Sequence, residues 1–371
     1  MEYRFAPELS ETDAGYLSRA IRLGRQGWGS VHPNPMVGCV LVKDGRIIGE
    51  GWHEVFGGPH AEVQGLRASG PQANGATAYV SLEPCRHEGK TPACTGALMQ
   101  AGVARVVFAA ADPGKDSGGG GLVLKDAGIE VSGPHLSSEL AARENPVFFH
   151  GLTSDRAWVA IKLATSLDGG INATGKERTL LTGAETRREV HRLRSGFDAV
   201  MIGARTARTD DPLLTVRDVV APRGQPVRIV LDSAASLPST SRLVGSTEEG
   251  PVWVFCAEDA DEGEVERLEA AGVKVHPVPR ARTEGGGLAL DTVLRECREL
   301  GVESVLCEGG SLLARALIRG GHARRLHLFQ APVFLGAGAV HGLDAETGLG
   351  WQPIDKPEAF GADTHLVLER S

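Results

Sequence analysis

The sequence predicts an α/β protein built as two layered domains, residues 1–150 and 151–371. Three observations point there. The 371 residues exceed what one core comfortably fills, since domains usually run to about 100–200 residues. The first 150 read as helix, hairpin, helix, strand, helix, strand, the order of an α/β layer fold. Beyond residue 155, β-rich apolar runs alternate with helical stretches, the pattern of a largely parallel open sheet.

The elements of the first domain follow from local signals. Thr12-Asp13 is the expected cap of a helix with Leu17, Ala20, Ile21 and Gly24 on one face. His32-Pro33-Asn34-Pro35 is a rigid loop, because each proline fixes its backbone and removes a donor. It leads into the apolar strand Val37–Val42 and can present Asn34 to a ligand; a plain turn asparagine explains the motif equally well. Asp44-Gly45 tolerates positive φ and makes the hairpin turn to a return strand ending at His53. A helix from His60 to Ser69, a buried strand Ala76–Leu82, a helix Thr95–Ala101 and a strand Val103–Ala111 come next. Gly118–Gly121 reads as a flexible loop, Leu122–Val131 as a short helix and strand, and Leu136–Asn145 as a helix. His150–Asp155 reads as the linker.

Chemistry concentrates between His60 and Cys94. His60, Cys85 and Cys94 offer one imidazole and two thiolates, and three such ligands leave a fourth zinc position open for water. Glu62 lies two residues from the histidine, close enough to move protons without binding metal. His-x-Glu followed by Pro-Cys and a second cysteine is the pattern of zinc deaminases, here with a wider cysteine spacing. In that chemistry zinc activates a water, Glu62 carries its proton, an amidine-like carbon is attacked and ammonia leaves. A fourth ligand would make the site structural instead, and His87 in the same loop is the candidate.

In the second domain, Trp158–Leu163 alternates as a strand. Apolar runs at 199–202, 227–231, 252–256, 273–278, 304–307, 326–329 and 365–368 are further strands, with helices at 185–194, 263–271, 290–300 and 312–319. Ser304 to Ala314 goes strand, Gly309-Gly310 turn, helix, a junction where a phosphate can approach free N–H groups. It lacks Gly-x-Gly-x-x-Gly, so the Rossmann fingerprint is absent and a tight connection is the alternative.

Composition narrows the class. Hydrophobic content of 42% with 23% charged residues is that of a soluble globular protein. A net charge of −8 argues against nucleic acid as partner. Six scattered cysteines suit reduced thiols and a metal site, not a disulfide framework. No apolar run approaches the roughly 18–20 residues of a membrane span, and the start carries no signal pattern, so a cytoplasmic protein is expected.

Three segments carry a family resemblance: His32-Pro33-Asn34-Pro35-x-Val37-Gly38-Cys39, His60-Ala61-Glu62, and Leu82-Glu83-Pro84-Cys85-x-His87-x-Gly89-x-Thr91-Pro92-x-Cys94. They resemble the deaminase half of the bifunctional riboflavin-biosynthesis deaminase–reductases. Lys162–Gly169, Arg205–Arg217, Val230–Ser233 and Glu308–Gly310 resemble the reductase half. The resemblance implies a cytidine-deaminase-like three-layer domain followed by a dihydrofolate-reductase-like domain. It implies zinc on His60, Cys85 and Cys94, with Glu62 as proton carrier, and substrate held by Asn34, His53, His87 and Lys90. It implies NADPH lined by Ala164, Leu180, Thr206, Asp210, Ser233 and the turn Gly310, Ser311, Leu312, Leu313, Ala314, Arg315, Ala316. Arg178, Arg194, Leu214, Arg217 and Glu308 would face the second substrate, and guanidinium forks suit its phosphate. The implied partner is a small pyrimidine ribosyl phosphate, and the implied state a homo-oligomer. Gly170 stands where the family usually has a basic residue, and Leu180 where many members have tryptophan. The rival readings are a nucleoside or tRNA-base deaminase, a structural zinc domain fused to a nucleotide-binding module, and a deaminase whose reductase half has changed.

Overall fold

The computed structural model describes residues 3–87, 92–173, 179–282 and 287–370, and the chain divides into one unit running to Ser154 and another starting at Asp155. In the first unit the elements are α1 (Glu11–Gly24), β1 (Gly38–Lys43), β2 (Arg46–Trp52), α2 (Ala61–Ser69), β3 (Thr77–Leu82), α3 (Cys94–Gln100) and β4 (Arg105–Ala110). They continue with α4 (Gly120–Asp126), β5 (Glu130–Ser132), α5 (Ser138–Glu144) and α6 (Pro146–Gly151). Among the described residues one sheet runs β2-β1-β3-β4-β5. Its two-residue side-chain period makes three layers. Cys39, Leu41, Ala78, Val80 and Val106 pack with α2, α3 and α4 on one face. Val40, Val42, Tyr79, Val107 and Ala109 pack with α1 and α5 on the other.

Several local expectations are corrected. Ser10 caps α1 by accepting from the Asp13 amide at 3.1 Å, not Thr12 or Asp13. Gly120 and Gly121 open α4 instead of forming a free loop, since a Cβ at Gly120 would lie 1.8 Å from the Pro84 carbonyl oxygen. α6 extends to Gly151, so the stretch expected as linker begins as the last turn of a helix. The expected hairpin forms, with φ of 50° at Asp44 and 71° at Gly45.

The second unit contains β6 (Trp158–Thr165), β7 (Gly170–Asn172), α7 (Ala184–Ser195), β8 (Ala199–Gly203), α8 (Ala204–Asp210) and β9 (Val227–Leu231). Then come β10 (Val252–Ala257), α9 (Glu262–Ala270), β11 (Lys274–Val278), α10 (Leu290–Glu299), β12 (Ser304–Cys307) and α11 (Ser311–Arg319). It ends with β13 (Ala323–Gln330), β14 (Val340–His341), β15 (Trp351–Pro353), β16 (Glu358–Phe360) and β17 (Asp363–Arg370). The main sheet runs β11-β10-β9-β8-β12-β6-β13-β17-β15. Every pairing from β11 to β13 is parallel, as the alternating pattern predicts. β17 is antiparallel to β13 and β15. The short β7 and β14 pair with each other apart from this sheet.

No helix among the described residues is long and apolar enough to cross a membrane.

Candidate active sites

α2 presents the first site. Glycines at 49 and 51 on β2 and at 65 on α2 let the helix backbone lie against the strand; a Cβ at Gly51 would stand 2.4 Å from the Gly65 nitrogen. His60 occupies the N-cap position of this helix and Glu62 its first turn. Cys85 follows β3, and Cys94 opens α3. His60 Nδ1 lies 3.6 Å from Cys85 Sγ and 3.3 Å from Cys94 Sγ. All three ligand atoms fall within 4.8 Å of one another. A tetrahedral zinc with bonds of about 2.3 Å to sulfur and about 2.05 Å to nitrogen spaces such atoms by about 3.5 Å, so the residues fit the ion. His87 is exposed and lies outside this group.

Electrostatics fit proton transfer. The Cys94 amide donates to Cys85 Sγ at 3.4 Å. Its hydrogen bonds with Cys94 and His60 hold the Cys85 thiol well below the ordinary thiol range despite burial, and Cys94 is pushed up in turn. Glu62 is 3% exposed. Burial, then the Cys85 charge, pushes its carboxyl up to about 7. A carboxyl there can both take and give a proton near neutral pH.

His53 and Asn34 stand beside this group. The Pro59 carbonyl can only accept, so His53 Nδ1 donates to it at 3.1 Å. Nε2 then accepts from Asn34 Nδ2 at 3.2 Å, which leaves the asparagine oxygen as an acceptor for a ligand. The His53 and His60 rings meet edge to face at 5.3 Å. His53 thus orients the Asn34 amide. Lys90 lies outside the described residues.

Among the described residues of the second unit, a larger and a smaller cavity lie at the C-terminal ends of β6, β8, β9 and β12, where open α/β sheets bind ligands. The larger, about 450 Å³, is lined by Ala164, Thr206, Asp210, Ser233 and the turn Gly310–Leu313 with Ala316. Thr206 Oγ1 accepts from the Gly310 amide at 3.0 Å and so fixes the start of α11. Two members of the expected turn point elsewhere. Ala314 is fully buried in the core, and Arg315 donates to the His341 and Gly342 carbonyls, so neither lines the cavity. Arg315 instead fastens the segment whose Val340 forms the cavity wall.

The smaller cavity, about 250 Å³, is lined by Arg194, Leu214, Arg217 and Glu308, and also by Leu180, which does not reach the larger one. Arg178 lies outside the described residues. Both cavities share Lys162, Ala164, Ile171, Asn172, Thr206, Asp210 and Glu308. Burial would raise Glu308, but the bidentate Arg194 guanidinium and Lys162, 3.8 Å away, outweigh it and hold the carboxyl at about 2. Sequence reasoning missed Lys162, Asn172 and Ile171 as site residues. Lys162 left a trace, a lone cation inside the buried strand β6; the other two left none.

The comparisons with known proteins agree with this geometry. Residues 10–110 match the model of the cytidine and deoxycytidylate deaminase zinc-binding region, and residues 157–359 that of the RibD C-terminal domain. The riboflavin biosynthesis protein RibD of Aquifex aeolicus (strain VF5) is 38% identical, covering 98% of this chain and 99% of its own. The structure of Acinetobacter baumannii RibD (form 1) is 34% identical with a TM-score of 0.78, over 97% of this chain and 99% of that one. A diaminohydroxyphosphoribosylaminopyrimidine deaminase/5-amino-6-(5-phosphoribosylamino)uracil reductase from Thermotoga maritima has a TM-score of 0.77 and 31% identity, over the same shares.

Proposed function

The chain belongs to the RibD family of bifunctional riboflavin-biosynthesis deaminase–reductases, and on that premise we propose which residues serve each reaction. It is an enzyme with a zinc-dependent deaminase activity and an NADPH-dependent reductase activity. Its domains have cytidine-deaminase-like and dihydrofolate-reductase-like folds. The first reaction hydrolytically removes the exocyclic amine of 2,5-diamino-6-(5-phosphoribosylamino)pyrimidin-4-one, and the second reduces the ribosyl side chain to ribityl. We assign the first to residues 1–150 and the second to 151–371.

His60, Cys85 and Cys94 hold zinc. Bound there, zinc supplies the Lewis acidity that makes water nucleophilic near neutral pH. Glu62 takes the first proton of the attacking water and passes it to the ring nitrogen, then takes the proton of the new C–OH and passes it to the amine, so that the carbonyl forms as the C–N bond breaks and ammonia leaves. Asn34 and His53 orient the pyrimidinone, and His87 and Lys90 meet the ribose phosphate. The observation that carries this reading is the buried Glu62 beside three convergent ligand atoms.

For the reduction, the larger cavity takes NADPH through Ala164, Thr206, Asp210, Ser233 and the Gly310–Leu313 turn with Ala316. Bound there, NADPH would supply the hydride that ends on the sugar C1, while the C1–ring-oxygen bond breaks and that oxygen takes a proton. Arg194, Leu214, Arg217 and Glu308 line the substrate side together with Leu180, and Arg178 keeps the substrate role that the resemblance gives it. Lys162 and Asp210, common to both cavities, are the groups able to supply that proton. Two thiolate ligands suit a reducing compartment, so the protein acts in the cytoplasm, as a homo-oligomer after its family.

The test is a coupled assay on zinc-loaded protein with the diaminopyrimidinone substrate, following ammonia release and NADPH oxidation separately. Wild type is expected to release ammonia and then oxidise NADPH. Glu62→Gln is expected to lose ammonia release by a factor of at least about 10² while still oxidising NADPH when given deaminated substrate. Ammonia release by Glu62→Gln at the wild-type rate would remove Glu62 from its role.

A further inference from the structure

We infer that His191 is a binding residue of the smaller cavity, ordering the loop at residues 213–217 through Nδ1 and offering its Nε2–H to a phosphate oxygen of the substrate. The inference rests on reading this cavity as the ribosyl-phosphate site.

His191 lies on α7, is 8% exposed, and lines the cavity together with Arg194 and Arg217. Its Nδ1 faces two backbone groups of opposite kind. The Thr215 carbonyl is 3.1 Å away and the Arg217 amide 3.2 Å away. One ring nitrogen cannot donate to the first and accept from the second at once. The neighbours decide between them. Thr215 O already accepts from Arg194 Nη1 at 3.0 Å. A proton on Nδ1 would set N–H against the Arg217 N–H. A lone pair there accepts from the Arg217 amide and leaves the Thr215 carbonyl to Arg194, so that no donor goes unpaired. The proton therefore sits on Nε2, and with Nδ1 committed to the loop, Nε2–H is the donor the ring has for the cavity.

The surroundings keep the ring neutral. Burial lowers its pKa first, and the Arg194 and Arg217 guanidiniums lower it further, against weaker opposing pulls from Glu308 and Asp218. A neutral donor beside two guanidiniums adds a directed hydrogen bond to an anion without adding a third charge. The loop itself is tightly determined. Leu214 holds φ at +56°, unfavourable for a branched side chain. Gln225 clamps Val216 through both backbone groups, at 2.7 and 2.9 Å. Arg194 and Gln225 thus keep the loop in place when His191 is changed.

The experiment compares wild type, His191→Asn and His191→Gln in the zinc-loaded full chain. Asparagine keeps an acceptor near Nδ1 but does not reach the Nε2 position; glutamine reaches it. For His191→Asn, KM for the deaminated substrate and the inhibition constant of inorganic phosphate are expected to rise about tenfold. Its kcat is expected to stay within about twofold of wild type, with ammonia release and melting temperature unchanged. His191→Gln is expected to recover part of the phosphate affinity. Side-chain ¹H–¹⁵N spectra should show the Nε2–H tautomer, with that resonance moving when phosphate is added. A proton on Nδ1, or wild-type KM in His191→Asn, would overturn the inference. Arg217→Ala separates the two layers: if it raises KM while His191→Asn does not, only the histidine role falls. If neither raises KM, the reading of the cavity falls with it.

Discussion

Glu308 keeps its charge in a site where its side chain is 8% exposed only because two cations face it. Arg194 meets it with a bidentate fork and Lys162 stands 3.8 Å off. Removing one partner leaves an uncompensated buried charge, which typically costs about 3–5 kcal/mol. Arg194→Met is therefore expected to lower the unfolding free energy of the reductase unit by that order, read as a lower urea midpoint, and to abolish NADPH oxidation. Glu308→Gln, which removes the charge but keeps the shape, is expected to cost less stability. Equal midpoints for the two variants would show that the pair contributes no net electrostatic stabilisation. The grouping of His60, Cys85 and Cys94 with Glu62 close by was legible in the sequence, because metal chemistry admits few residue types and the helix at His60 fixes histidine and glutamate together. Lys162 and His191 were not. Both acquire meaning only when residues far apart in sequence, such as Glu308 and Thr215, are brought to them.

Among the elements, the long strands β6, β8, β9, β10, β12 and β13 were visible as apolar runs, and α7, α9, α10 and α11 as intervening helical stretches. β7, β14, β15 and β16, with two or three residues each, were not, because such pieces have no period of their own and exist through their partners. α8 hid in a polar Arg-Thr sequence. The β7–β14 pair holds Gly170, where the resemblance implies a basic residue. A Cβ there would lie 3.0 Å from both Ala339 Cβ and Leu335 Cδ1 and 3.1 Å from Ser166 Oγ. Glycine lets the segment bearing Val340 close against β7 and wall the larger cavity. Asp168 ties the same segment down, accepting from the Leu335 and Gly336 amides at 3.1 and 2.8 Å. Gly170→Lys is expected to spread this pair, lower stability by about 1–3 kcal/mol, and raise KM for NADPH several-fold while ammonia release is unchanged. Unchanged KM for NADPH would show that the wall is not needed for cofactor binding.

The reductase unit carries an acid sensitivity of its own. In the reductase unit His327 and His365 are buried on β13 and β17, Nδ1 to Nε2 at 3.2 Å, and His365 stacks on Phe329 at 4.1 Å. Burial, the dominant effect, lowers His365 from its ordinary 6.5 to about 4, and Glu189 and Asp355 oppose it while Arg192 adds to it. Burial, His365 and Arg325 press His327 down as well. A depressed folded pKa means the unfolded chain binds the proton first. The stability from His365 is therefore fully present above pH 6.5 and is lost as pH falls through about 4. The loss is on the order of 3 kcal/mol. The fold of the reductase unit is expected to weaken as pH falls from 6.5 towards 4, and His365→Phe to shift that loss downward; circular dichroism against pH reads both. The division at Ser154 and Asp155 has a different kind of consequence. Because one message encodes both catalysts, a cell cannot make more of one than the other. The standing pool of the intermediate is then set by the turnover ratio of the two centres, not by gene dosage or promoter strength.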